Sequence, residues 1–102
     1  MKYTFGESFG YGPKNTDYSI TFDIDLTDEE AEIIRAFLKE NGDCDYAYLE
    51  FEHPGLFDLI NDTANDAVVE EINRHRRRKL DFFDIDWTAL SFDFYWPEEL
   101  LK

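Results

Sequence analysis

A chain of 102 residues lies near the commonest domain size, and its 43% apolar content supplies one core able to hide roughly 60–70% of the unfolded surface. Its 24 acids against 10 bases give a net charge of −14, which argues against binding nucleic acid or anionic membranes, where attraction to phosphate carries most of the affinity. An aromatic content of 18% excludes the aromatic-poor composition of disordered acidic chains.

Tyr3 and Phe5 alternate with polar residues and predict a short first strand. The segment 6–17 holds Gly6, Gly10, Gly12, Pro13 and Asn15 and predicts a flexible loop or a loosely closed hairpin connection. Tyr18, Ile20, Phe22, Ile24 and Leu26 then alternate with Ser19, Thr21, Asp23 and Asp25, the period-two pattern of a half-buried antiparallel strand. Thr27 with Glu30 makes a capping box, and Asp28, Glu29 and Glu30 complement the positive end of the helix that follows. Ile33, Ile34, Phe37 and Leu38 form its apolar stripe, and Asn41-Gly42 stops it.

Tyr46 to Phe51 is readable as a short strand or a helical turn. Pro54 suits the first position of a second helix running to about Arg76, with a core face of Phe57, Ile60, Ala64, Ala67, Val68 and Ile72. Alternation returns in Phe83, Ile85 and Trp87, slips parity near Thr88-Ala89, and resumes in Leu90, Phe92, Phe94 and Trp96. Pro97 closes that strand, and Glu98 to Leu101 predict a last turn. The order is β-β-α-(β)-α-β-β. It makes one α+β domain over residues 1–102, a small antiparallel sheet of four to five strands with two helices packed on one face.

Candidate chemistry is thin. Gly6-Glu7-Ser8-Phe9-Gly10 spells the G-x-S-x-G elbow of a nucleophilic serine, but Gly10-Tyr11-Gly12-Pro13 follows where that elbow needs a helix. His53 sits where the second helix starts, and His75 lies among cations that disfavour its use as a base. Cys44, flanked by Asp43 and Asp45, is a poor thiolate; a lone cysteine also precludes an internal disulfide and suits a reducing compartment. With no apolar leader and no long apolar run, the expected location is cytoplasmic. Three Cys and His residues are too few for structural zinc, and the i, i+2 spacing of Asp84 and Asp86 on a strand, about 6.6 Å, is too wide to chelate one ion. No catalytic residue, metal or cofactor is therefore assigned.

The basic run from Arg74 to Lys79 fits the negative C-terminal end of the second helix better than a nucleic-acid or localisation patch, because without its five cations the remaining five bases face 24 acids. The acids are more telling. Asp58, Asp62, Asp66 and Glu70 fall at i, i+4 spacing along about 18 Å of helix, where each like-charged pair costs about 0.2–0.5 kcal/mol. Asp23/Asp25 and Asp84/Asp86 predict shorter rows on strands, and Glu50/Glu52 another. Tyr46, Tyr48, Trp87 and Tyr95 are candidate aromatic anchors at the edge of this acidic surface.

The expected function is a non-catalytic interaction module: a small inhibitor or immunity-type protein docking on a basic protein such as a nuclease or nucleic-acid-binding protein. A structural subunit that buries its surplus aromatics in a homodimer is the first alternative, and a DNA-mimic protein the second. The same rows are also what a plain solvated acidic surface would show.

Overall fold

Two ten-residue strands form a long hairpin. In the computed structural model, which describes residues 1–74 and 76–101, β1 (Lys2–Tyr11) pairs antiparallel with β2 (Thr16–Asp25). The register runs without a bulge from Lys2 opposite Asp25 to Tyr11 opposite Thr16. Asn15 N–H donates to the Gly12 carbonyl at 2.9 Å, closing a turn in which Pro13 supplies a preset φ. Gly12 and Asn15 take φ of 93° and 50°, a region open to Gly and tolerated by Asn.

The predicted loop over 6–17 is thus mostly strand. The inward alternation Tyr3, Phe5, Glu7, Phe9 passes straight through the glycines, and only residues 12–15 leave the ladder. At Gly10 a Cβ would meet Asn15 Oδ1, so a larger residue there requires the Asn15 side chain to move.

β3 (Phe92–Tyr95) pairs with the other side of β1, from Gly6 opposite Tyr95 to Phe9 opposite Phe92, and the sheet order is β2-β1-β3. Three strands form where four to five were expected. The segment around 46–51 is a 3-10 turn (Tyr46–Tyr48) running into α2 (Leu49–Glu52), started by the Asp45 carboxylate accepting from Ala47 N–H. The segment 83–87 is likewise no strand; it is spanned by 3-10 turns at Phe82–Asp84 and Trp87–Ala89. There Asp84 Oδ2 accepts from Asp81 N–H at 2.9 Å and Trp87 Nε1 donates to the Phe82 carbonyl at 2.8 Å. Side chains that bond the local backbone compete with a ladder, and here they win.

α1 (Asp28–Asn41) carries the predicted capping box, with Glu30 N–H donating to Thr27 Oγ1 at 3.1 Å and Thr27 N–H to Glu30 Oε1 at 2.9 Å. It buries Ala31, Ile34, Phe37 and Leu38. α3 (Pro54–Asn73) starts on proline as expected and buries Leu56, Ile60, Ala64, Val68 and Ile72, leaving Phe57 and Ala67 half-buried. α4 (Glu98–Leu101) is the predicted last turn, docked on α1 through Leu100.

These parts share one core over the inner face of the sheet. Phe5 stacks on Phe22 at 5.7 Å and Phe9 on Tyr18 at 5.4 Å, the cross-strand aromatic pairs that fix register. Trp96 ties the sheet to α1, 5.0 Å from Phe94 and 6.5 Å from Phe37, and its Nε1 donates to the Cys44 carbonyl at 2.6 Å. The architecture is α+β. Among the described residues no helix is long and apolar enough to cross a membrane.

Candidate partner-binding surface

α3 packs its buried residues at four-residue intervals, and the acids follow the same interval two residues later. Two residues turn a helix by about 200°, so a core row at 56, 60, 64, 68 and 72 forces the row at 58, 62, 66 and 70 to the opposite side. Asp58, Asp62, Asp66 and Glu70 are all exposed there. Among the described residues the ion pairs lie elsewhere, Met1 with Asp25, Arg35 with Glu32 and Arg74 with Glu71. Among the described residues none of the four acids is in an ion pair, though Arg74 and Lys79 lie near Glu70, and three adjacent like-charged pairs cost the helix about 1 kcal/mol.

Asp23 and Asp25 occupy the sheet face turned away from α3, so the two rows lie on opposite sides of the molecule. Asp23 accepts from Thr4 Oγ1 at 2.6 Å. Asp25 accepts from the Met1 amino group at 2.9 Å, and that bond and charge hold its carboxyl below its ordinary value. Asp84 and Asp86 do not form a strand row. The first caps the 3-10 turn, and the second accepts from Thr88 Oγ1 at 2.7 Å. Glu50 and Glu52 are exposed on α2.

The aromatic candidates divide. Tyr46 is half-buried, 4.5 Å from Phe94 and 5.5 Å from Phe57, with its hydroxyl donating to Asn61 Oδ1 at 2.8 Å. Trp87 is half-buried against Phe82. Tyr48 is 61% exposed, and Tyr95 is exposed with its hydroxyl 3.3 Å from Ser8 Oγ. Phe51, 86% exposed and three residues after Tyr48, shares its helical side. Phe83 stands 92% exposed. Pattern alone does not mark Phe51 or Phe83 as exposed, because Phe83 sits in a run that reads as strand and Phe51 in one that reads as strand or helical turn.

Ser8 lies mid-strand in β1, with no strand-to-helix elbow around it. Burial, then the Asp45 and Asp43 carboxylates, push the Cys44 thiol up. Among the described residues no three His, Cys, Asp or Glu side chains converge as a metal site. His75 lies outside the described residues. The rest of the basic run behaves as a helix terminus: Arg74 pairs with Glu71 at 3.0 Å, and Lys79 Nζ donates to the carbonyls of Asn73 and Arg76 at 2.6 and 2.8 Å.

Glu7 went unmarked in the sequence. It is 3% exposed on the inner face of the central strand, between Ile20 and Phe94 on the flanking strands. Burial first, and the Asp45 carboxylate second, push its pKa up to about 7. Burial, then Glu7 and Asp45, raise the Tyr46 hydroxyl as well. The signal was available in the run Tyr3, Phe5, Glu7, Phe9, had the glycines not broken it. Compared with known protein families, curated proteins and solved structures, the chain matches none.

Proposed function

We propose that the protein is a non-catalytic acidic module of the inhibitor or immunity type, which docks on a basic protein such as a nuclease or nucleic-acid-binding protein. The observation that carries this is the stripe Asp58, Asp62, Asp66, Glu70, exposed together along one side of a helix whose other side is core. Such a stripe speeds encounter with a cationic surface and fixes register on it. Tyr48 and Phe51 add the kind of exposed aromatic contact that anchors interfaces. Mimicry of a DNA duplex is less well supported, because the second acidic row, at Asp23 and Asp25, is on the far side.

A nuclease-treated pull-down from host lysate with salt-step elution tests the reading. One basic protein should be retained stoichiometrically. It should be lost when Asp58, Asp62, Asp66 and Glu70 are all changed to Lys, with the circular dichroism spectrum unchanged. Retention of the same protein by that variant would move the site away from α3. A homodimeric subunit is the second reading, favoured by the exposure of Phe51 and Phe83; sizing of the pure protein separates it.

A further inference from the structure

β2 is an open edge. In the hairpin, Leu26 N–H donates to the Met1 carbonyl at 3.0 Å and the Met1 amino group to the Leu26 carbonyl at 3.1 Å, which makes Met1 and Leu26 a mutually bonded pair. Antiparallel bonding alternates, so Ile24, Phe22, Ile20, Tyr18 and Thr16 likewise turn their peptide groups toward β1. Asp25, Asp23, Thr21, Ser19 and Asp17 therefore turn theirs outward. Among the described residues no hydrogen bond reaches those outward groups from another element. They present an edge about 30 Å long, with no proline and no bulge to blunt it.

Beside this edge a groove of about 260 Å³ runs between Ser19, Ile20 and Thr21 of β2 and Ala67, Glu70 and Glu71 of α3, with Arg74, which pairs with Glu71, at its end. Acids without an ion pair among the described residues flank the edge on both rims, Glu70 on the helix and Asp17 and Asp23 on the outer sheet face. We infer that β2 accepts an extended basic segment of a partner protein as a fourth strand, seated on the open peptide groups with lysine or arginine at alternate positions. The inference deepens the reading of a basic partner and rests on it.

Charge selects the occupant. A second copy pairing antiparallel about Thr21 would set Asp17 against Asp25 twice, and like charges directly opposite are destabilising. An apolar strand would find only Asp, Ser and Thr along the outer row. An incoming cation at alternate positions meets Asp17 and Asp23, Asp25 being held already by the Met1 amino group, while its other side chains face Ala67 and Glu70 across the groove. Main-chain bonds then give affinity and the acids give specificity.

The test uses a capped ten-residue peptide of alternating lysine and threonine, with amide exchange followed by NMR on the whole chain. Binding should slow exchange at Ser19, Thr21 and Asp23 at least tenfold. Thr21→Pro, which removes an outward N–H and no ladder bond, should weaken binding at least tenfold while the spectrum stays folded. The same peptide N-methylated on its lysine amides keeps its charge and should bind at least tenfold more weakly. Equal binding of the two peptides would overturn the edge inference and leave the acidic-module reading standing. Failure of both peptides to bind at low salt would overturn both. Protection of β2 amides that grows with protein concentration alone would make a second copy the occupant and overturn the basic partner.

Discussion

Glu7 is the residue whose chemistry departs furthest from its sequence. An acid on the inward face of the central strand, beside Ile20 and Phe94, loses hydration that no ion pair among the described residues restores, so the protonated form is favoured up to about pH 7. Its folded pKa of about 7 lies above the ordinary 4.5, and a raised folded pKa means the native state binds the proton more tightly. Its contribution is therefore fully present below about pH 4.5 and is lost as pH rises through 7. The span corresponds to at most about 3 kcal/mol. Glu7→Gln keeps the shape without the charge. In urea unfolding the variant should match the native chain within about 1 kcal/mol at pH 5 and exceed it at pH 8. Parallel pH dependence in the two proteins would show that Glu7 does not hold its proton, and general relief of the −14 charge would then be the cause.

At the scale of elements, local signals succeeded where side chains bond the backbone in the way their spacing suggests. Thr27 and Glu30 close the capping box, and Thr27→Ala should cost about 1 kcal/mol, read as a fall of roughly 5 °C in Tm. An unchanged Tm would mean that packing of Ile34 and Phe37 alone holds the start of α1. The same four-residue logic made both sides of α3 legible, core and acid stripe together. The hairpin was only half legible, because Gly6 and Gly10 carry the composition of a loop and the conformation of a strand. What makes them strand is long-range: Gly6 is opposite Thr21 and Tyr95 at once. The aromatic run at 83–87 misled in the other direction, and 46–51, readable as strand or helical turn, took the turn. Their strand composition is overridden by Asp45, by the Asp81–Asp84 box and by the Trp87 indole, whose bonds hold short turns. Tyr46 and Trp87 are half-buried by neighbours that periodicity does not reveal: Phe94 and Asn61, distant in sequence, for Tyr46, and Phe82 and Phe92, each five residues away across a turn, for Trp87.

The whole molecule is long for its mass. It measures 42 × 23 × 22 Å with a radius of gyration of 14.5 Å, against about 13 Å for a compact chain of this length. Its surface of 6991 Å² exceeds the roughly 6000 Å² usual at 12.1 kDa. The excess carries Tyr48, Phe51 and Phe83 into solvent on a body of charge −14. Two forces then compete for that surface, and salt moves them oppositely. Repulsion between two copies reaches about 10 Å at 0.1 M salt and about 3 Å at 1 M, so association of the chain with itself through those aromatics strengthens as salt rises. Attraction to a basic partner weakens over the same range, chiefly through a slower encounter. Sedimentation velocity at 0.02, 0.15 and 1 M sodium chloride should therefore find a monomer at the two lower salts. A dimer persisting at 0.02 M would mean that apolar contact outweighs the full unscreened repulsion, and the exposed aromatics would then belong to a homodimer interface, with the acidic stripe left as its solvated outer face.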